Sequence, residues 1–476
     1  MVSGAHGGKL MGAGGGGFFM FLVPPNQQKE FKLRKNSFSL MQSAGEKCAE
    51  YISENISKNN DVLVICGPGN NGGDGFIISN YLFNKGYKVK TFLILPLKNR
   101  KNDNHKAFKK LEGEVFNLNN LHKELKKKTK PIIVDCIFGT GLNKNVSARI
   151  KNIIRVINKK KTLIFSIDIP TGINSDNGNV MGEAIKANVT LALHCKKIGH
   201  VLFPGVYFSG KTKILDIGIR KSLNKLVDNK IRENNPNLWI NKKFPWKKYN
   251  SHKYSRGRVY IYGSLKNHIG ASLLSSNAAI RCGAGSVTVV ANKDTIDKYN
   301  QKFFSLLKLE INTIKELKNF LNKSLITSFL IGPGAGVNQK TIENVKLISK
   351  SVHCVVIDAD AITSFTKNPK ELFSILDKNK IITPHEGEFN RIFSDLKNIK
   401  NKIEKSVKAA KKANCILVFK GPDTIIASPD GKVCINTIST EELAVIGSGD
   451  VLSGIIASLI GKNKMSAFNG ACAGVW

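Results

Sequence analysis

Short apolar runs alternate with longer segments of helical, charged-face pattern along nearly the whole of this chain. The runs at 62–66, 89–95, 131–136, 162–168 and 189–194 read as strands, and a second series follows at 258–262, 286–291, 328–332, 353–358, 379–382 and 415–419. Helix-like segments lie between them, as where Leu40, Ala44, Cys48, Tyr51 and Ile52 recur at helical spacing. Such alternation predicts an α/β fold, because parallel strands need a crossover and crossover helices cover both faces of the sheet. The polar stretch 221–250, with Asn234-Asn235-Pro236-Asn237 and Lys242-Lys243, interrupts the pattern and reads as a linker or domain edge. At 476 residues there is room for two such blocks. The expected domains are 32–222 and 251–476, joined by 223–250. Ligands of parallel sheets bind beyond the carboxyl ends of the strands, so the informative loops are those that follow the apolar runs.

In the first block, a tight turn, Gly67-Pro68-Gly69, leads into Asn70-Asn71-Gly72-Gly73-Asp74-Gly75 and then a helix-like segment from Phe76 to Asn84. A glycine-rich loop ahead of a helix offers backbone N–H groups to an anion. Two amides and a carboxylate are more than a phosphate cradle needs, which suggests a bound cation or a polarised ligand as well. Asp135 ends one strand and precedes Gly139-Thr140-Gly141-Leu142; Asp168 ends another and precedes Ile169-Pro170-Thr171-Gly172. Asn71, Asp135 and Thr171 are hard oxygen donors suited to an alkali or alkaline-earth ion, and Asp168 can act as a general acid or base. Aspartate and glycine are also ordinary turn residues, so on spacing alone a purely structural role stays equally open.

In the second block, Gly447-Ser448-Gly449-Asp450 precedes a helical segment from Val451 to Ile456. Its glycines open N–H groups to phosphate, and Asp450 can deprotonate a hydroxyl that attacks a phosphoryl group. Lys420-Gly421-Pro422-Asp423-Thr424 follows a strand and suits nucleotide contact. Thr383-Pro384-His385-Glu386-Gly387-Glu388 adds a histidine and two carboxylates at another strand end, and Gly332-Pro333-Gly334-Ala335-Gly336 is a further glycine turn.

A net charge of +38, from 73 basic against 35 acidic residues, raises the question of nucleic-acid binding. The lysines are dispersed over helical faces and loops, without interleaved aromatics or a recognition motif. They read as solvated surface that helps to draw in phosphorylated substrates. No apolar run approaches the ~20 residues of a membrane helix. Phe18 to Val23 is too short, and it lacks the basic leader and cleavage site of a signal peptide. The nine cysteines form no C-x-x-C pair, and Cys48, Cys66, Cys136, Cys354 and Cys415 sit in apolar segments. They are expected to be buried free thiols in a reducing cytoplasm. The expected partners are therefore small molecules, with neither nucleic acid nor membrane.

Two resemblances organise these loops. Leu40 to Gly45, Gly67 to Gly75, Val134 to Gly141, Ile167 to Gly172, Lys196-Lys197-Ile198-Gly199-His200 and Pro204-Gly205 resemble the NAD(P)H-hydrate epimerase domain, from about Leu40 to about Ile219. The resemblance implies a Rossmann-like three-layer sandwich that interconverts the R and S forms of hydrated NADH or NADPH. Carried over by motif position, substrate contacts fall to Asn70, Asn71, Gly72, Gly73, Asp74, Gly139, Thr140, Gly141, Leu142, Asn143, Lys144, Asn145 and the catalytic Asp168. A potassium ion falls to Asn71, Asp135 and Thr171.

From about Tyr254 onward, the second-block loops, with Gly270 to Leu274 and Arg281 to Gly285, resemble the ribokinase-like ADP/ATP-dependent NAD(P)H-hydrate dehydratase domain. This resemblance implies phosphorylation of the hydrate's hydroxyl and then elimination of phosphate, with ADP as co-substrate and magnesium as its companion. Ala271, Gly334, His385 and the catalytic Asp450 would contact the hydrate. Lys420, Gly421, Pro422, Asp423, Thr424 and Gly449 would hold the nucleotide. A homo-oligomer is expected. A ribokinase-like kinase with a stable product, or a nucleic-acid-binding protein, is the competing reading.

Residues 1–31 stand apart. Gly7 to Phe18 resembles the C-terminal glycine-rich motif of GHMP-type sugar kinases, with no other part of such a kinase present. The segment is expected to be a foreign or disordered tail, standing where the epimerase family has a further helix. The apolar helical pattern from Ala467 to Trp476 meets no stop signal, so the second domain is expected to be C-terminally truncated.

Overall fold

The computed structural model describes residues 8–11, 18–21, 37–94, 97, 102–219, 230–246, 249, 256–300, 305–438, 440–461 and 464–476. These fall into two compact units, divided between Asn229 and Lys230. Of the tail, β1 (Gly8–Met11) and β2 (Phe18–Phe21) form an antiparallel pair with Leu10 opposite Phe19. Those eight residues form a strand pair within the segment expected to be a foreign or disordered tail. The rest of the glycine-rich run lies outside the described residues.

The first unit is a seven-stranded sheet of β3 (Asp61–Cys66), β4 (Lys88–Leu93), β5 (Val115–Asn117), β6 (Ile132–Cys136), β7 (Ile164–Ile167), β8 (Val189–Leu193) and β9 (Lys211–Leu215). The spatial order is β5-β4-β3-β6-β7-β8-β9, and every pair is parallel. Helices α1 (Ser37–Asn55), α2 (Asn70–Asn84), α3 (Asp103–Lys109), α4 (Leu118–Lys126) and α5 (Ala148–Lys159) accompany it. One core packs Met41, Cys48, Ile52, Phe76, Ile78 and Leu82 from α1 and α2 against Val62, Val64, Val134 and Phe165. The opposite core packs Leu121 and Leu125 of α4 and Ile150, Ile153, Ile154 and Ile157 of α5 against Leu63, Ile65 and Ile133. Each such fully buried aliphatic side chain contributes about 1.5–3 kcal/mol. Alternate residues of one strand thus feed opposite cores, as a doubly covered sheet requires.

Chain direction reverses at the centre of this sheet. From β3 the chain moves outward to β4 and β5, then returns to lay β6 on the other side of β3. The crevice at such a switch point is where ligands of open α/β sheets sit. It is flanked by residues 67–75 after β3 and 137–145 after β6.

The second unit holds ten strands: β10 (Ile231–Glu233), β11 (Arg258–Tyr262), β12 (Ser286–Ala291), β13 (Leu307–Glu310), β14 (Ser328–Ile331), β15 (Val355–Ile357), β16 (Lys380–Ile382), β17 (Ile416–Phe419), β18 (Ile425–Ala427) and β19 (Val433–Ile435). Their order is β10-β19-β18-β17-β16-β15-β14-β11-β12-β13, antiparallel only at β17–β18 and β18–β19. The stretch expected as a linker supplies β10, which pairs with β19, and the buried Trp239, whose indole N–H donates to Asn234 Oδ1 at 3.2 Å. The switch point here lies between β11 and β14.

Two loops of the sequence reading are helical instead. Asn70 to Gly75 forms the first turns of α2, and the later glycine motif enters its helix at Ser448 (Ser448–Leu459). The glycines explain the first case. A side chain at Gly72 would lie 1.9 Å from the Gly67 carbonyl oxygen, and one at Gly75 would lie 2.6 Å from Cys66 Sγ. The helix start is packed so close to the turn and strands that only glycine fits, whatever its helix propensity. The same holds at Gly454, where a Cβ would lie 2.1 Å from the carbonyl oxygen of Ser275 on the helix Ile269–Arg281.

Candidate active sites

Asp135 is the anchor of the first crevice. Its register neighbour on β7 is Ser166, whose hydroxyl donates to Asp135 Oδ2 at 2.8 Å. The Thr171 N–H also donates to Oδ2 at 2.9 Å, the Thr171 hydroxyl to Oδ1 at 2.7 Å and the Ile137 N–H to Oδ1 at 3.2 Å. The carboxylate therefore ties the ends of β6 and β7 together. It is fully buried, and burial pushes its pKa up despite these donors. No cationic side chain pairs with it among the described residues.

Asn71, 7% exposed, has no hydrogen-bond partner at either amide atom. A buried unpartnered amide is uncommon and calls for a ligand. The crevice is narrow: a methyl group at Gly139 would lie 3.1 Å from Asp168 Oδ2 and 3.4 Å from Asn71 Cβ. So Asn71, Gly139 and Asp168 converge. An unpartnered buried amide oxygen is a hard donor of the kind that oxygen-ligated cations take.

Asp168 has φ +66°, a conformation that non-glycine residues adopt only when the surroundings impose it. Its N–H donates to the Leu191 carbonyl at 2.9 Å, and its own carbonyl lies 2.8 Å from His200 Nε2. Its carboxylate accepts from the Thr140 N–H at 3.3 Å and from the Lys197 ammonium. Burial works to raise its pKa, yet the Lys197 charge and hydrogen bond prevail and hold it below the usual carboxylate range. Asp74 shows the reverse. Burial first, then the charge of Asp168, pushes it well above that range, and no hydrogen bond or ion pair engages its carboxyl among the described residues. Of the other expected contacts, Asn70, Gly139, Thr140 and Leu142 are half-buried at the crevice edge, whereas Gly141, Asn143, Lys144 and Asn145 are exposed. A cavity of about 280 Å³ between α1, α2 and α3, lined by Phe38, Gln42, Tyr81 and Lys85 among others, holds none of the expected site residues.

In the second unit, Asp450 sits in the first turn of its helix. Its carbonyl accepts from the hydroxyls of Ser275 and Ser453, each at 2.9 Å. Its carboxyl is pushed up to about 6, by burial first and then by the charge of Asp358, with Lys420 opposing. Lys420 donates to Asp358 Oδ1 at 2.9 Å, and its Nζ would lie 3.4 Å from a methyl group at Gly449. Burial works against its charge, but Asp358 and Glu388 prevail and the ammonium's pKa is raised. Lys420, Gly449 and Asp450 thus form one cluster, with Asp358 beneath it.

The remaining expected residues are scattered in role. Gly334 lies at the β11–β14 switch point, where its carbonyl accepts from the Leu265 N–H at 2.8 Å. The His385 ring is 54% exposed and caps the helix Glu386–Ile392, accepting at Nδ1 from the Gly387 N–H at 2.9 Å. Gly421 and Thr424 close their own turn, the Thr424 hydroxyl donating to the Gly421 carbonyl at 3.0 Å. Asp423 turns inward and pairs with Lys402. Ala271 is half-buried on the helix Ile269–Arg281. Two residues at the two sites, Asn104 and Asp358, received no site role from the sequence, and Lys197 and His200 entered it only within a motif, without a role of their own. Asn104, fully buried, donates to the carbonyls of Gly67 and Gly69 and so holds the turn before α2. Asp358 follows β15 directly in Asp358-Ala359-Asp360, a strand-end pair of aspartates that is a legible signal.

Residues 37–199 match the family described as YjeF-related protein N-terminus, and residues 259–476 match the NAD(P)H-hydrate dehydratase family. Curated relatives span both units. A bifunctional NAD(P)H-hydrate repair enzyme of Moorella thermoacetica is 30% identical over 453 residues, which cover 90% of this chain and 84% of the relative. One of Dictyoglomus turgidum is 31% identical over 435 residues, covering 88% and 84%. Among solved structures the chain is similar to an ADP/ATP-dependent NAD(P)H-hydrate dehydratase from Bacillus subtilis, at 23% identity and a TM-score of 0.42, covering 49% of this chain and 82% of that one.

Proposed function

The chain belongs to the family of bifunctional NAD(P)H-hydrate repair enzymes, and we propose that its two units divide the repair between Asp168 and Asp450. The first unit epimerises the R and S hydrates of NADH and NADPH, and the second dehydrates the S hydrate. The observation that carries the residue assignment is that each carboxylate stands at a strand-end crevice, beside unsatisfied or helix-terminal polar groups that can hold a ligand.

In the first unit, inversion at the hydroxyl-bearing carbon requires a bond there to break and re-form on the other face. Asp168, kept ionised, takes the hydroxyl proton as the oxygen becomes a carbonyl and the carbon's bond to the ring nitrogen opens, the electron pair passing to that nitrogen and its conjugated double bond. When the nitrogen re-adds to the opposite face, Asp168 returns the proton to the oxygen, acting as general base and then general acid. Asn71 and the helix start from Asn70 to Asp74 line the substrate side, with Gly139 and Thr140 opposite. Asp74, favoured in its protonated form, can donate a hydrogen bond. A potassium ion would be held by oxygens of Asn71 and Thr171 beside the buried charge of Asp135, and would supply electrostatic stabilisation of a developing oxyanion.

In the second unit, Asp450 takes the proton of the hydrate's hydroxyl. The oxygen attacks the terminal phosphoryl group of ADP, AMP leaves, and the new phosphate ester then loses phosphate and the neighbouring carbon-bound proton to restore the double bond. Lys420 and the N–H groups at Gly449 favour the charge on the transferring phosphoryl. Magnesium would arrive with the nucleotide; no cluster of three metal-ligating side chains occurs among the described residues. No described helix is long and apolar enough to cross a membrane, and the nine free cysteines suit a reducing cytoplasm.

The test supplies an epimeric mixture of hydrated NADH with ADP and follows recovery of reduced-nicotinamide absorbance. Full recovery is expected. An Asp168→Asn chain that still recovers the R fraction, or an Asp450→Asn chain that still dehydrates, would overturn the assignment.

A further inference from the structure

The Lys197 ammonium is one of the most enclosed in the first unit, its side chain 9% exposed. Besides the Asp168 carboxylate it reaches the Leu193 carbonyl at 2.8 Å, so both contacts fix where the charge lies. The backbone is locked as well. The Lys197 N–H donates to His200 Nδ1 at 2.9 Å, and the opposite ring nitrogen lies 2.8 Å from the Asp168 carbonyl oxygen. Since Nδ1 accepts, Nε2 carries the proton, and the imidazole bridges the two backbones as a neutral ring. Burial first and then the Lys197 charge bring its pKa down to about 4, which keeps it neutral in this role.

We propose that Lys197 is a positioning residue for epimerisation: its ammonium, held by the Leu193 carbonyl while His200 locks its backbone, aims the Asp168 carboxylate at the crevice shared with Thr140 and Asn71. This rests on Asp168 being the base. A buried ion pair of this kind adds little to stability, because desolvation offsets the attraction, so its value lies in geometry and charge. The groups facing the pair from other elements do not replace it. Asp74 on α2 is a carboxyl, Cys48 on α1 is a thiol that burial pushes up, and Lys196 lies beside His200.

The experiment measures the pH profile of R-to-S conversion for wild type, Lys197→Met, Lys197→Gln and Lys197→Arg, with thermal unfolding to verify folding and Asp168→Asn alongside. In the Met and Gln variants kcat is expected to fall roughly 10–100-fold with KM changed less than about threefold. Their acid limb should move to higher pH, since Asp168 loses its counter-charge, and Arg should restore part of the rate and move the limb back. A folded Met or Gln variant with an unmoved acid limb would overturn the proposal, whatever its rate. If Asp168→Asn itself retains epimerisation, the assignment of the base fails instead.

Discussion

The two crevices use the same residue at the same kind of place and tune it in opposite directions. Asp168 and Asp450 both stand beyond strand ends, and both are partly or wholly withdrawn from water. At Asp168 the neighbour is an ammonium, Lys197, and the carboxylate is held below its ordinary range. At Asp450 the nearest ammonium, Lys420, is already engaged by Asp358, whose negative charge joins burial in pushing Asp450 to about 6. Burial alone therefore does not set the character of a catalytic carboxylate; the sign of the next buried charge does. A weak base that is always ionised suits a reversible proton shuttle. A stronger base, near neutrality, suits activation of a hydroxyl for phosphoryl attack.

The largest expected effects test whether the two carboxylates work separately. Asp450→Asn should lower dehydration by about 10²–10⁴-fold and leave epimerisation intact, and Asp168→Asn should do the reverse. An equal mixture of the two variants should regain full recovery of reduced nicotinamide from the epimeric mixture; failure of the mixture would mean that the sites depend on one another.

A smaller effect tests the charge argument. Asp358→Asn removes a like charge, so the acid limb of dehydration should shift to lower pH, with rate falling about tenfold per unit below it. A limb that stays near pH 6 would assign the shift to burial alone. Smaller again is the role of the buried amide. Replacing potassium with a bulky organic cation should slow epimerisation in wild type and make little difference to Asn71→Ala, with dehydration as the internal reference. Smallest, and acting on stability alone, Asn104→Ala should free the carbonyls of Gly67 and Gly69 and cost about 1–3 kcal/mol, read from thermal unfolding.

The comparison also shows what a linear sequence carries. The central strands of both sheets were legible because burial on two faces demands continuous apolar runs, as in Val62-Leu63-Val64-Ile65 and Val355-Val356-Ile357. Outlying strands such as β9 and β13 expose half or more of their residues and carry lysines, so no apolar run marks them. Asp135, Asp168 and Asp450 stood out because each closes an apolar run or joins a glycine motif. The role of Lys197, named only within a motif, and that of Asn104 were not legible, since their partners lie 29 and 35 residues away and only the fold brings them together. At Asp423 the motif points to a ligand contact, and the fold adds what the sequence does not carry: its side chain turns inward to Lys402. The start of α2 reads as loop in the sequence because helix propensity argues against three glycines, while packing against Gly67, Met41 and Cys66 requires them.

The opposed tuning is tested most directly by measuring the pH profiles of both half-reactions in the same wild-type chain. A base must be ionised to act, so each rate falls as pH drops through the pKa of its carboxylate. Dehydration should lose half its rate at about pH 6, and epimerisation should hold to a distinctly lower pH. Coincident acid limbs, or epimerisation failing first, would contradict the account.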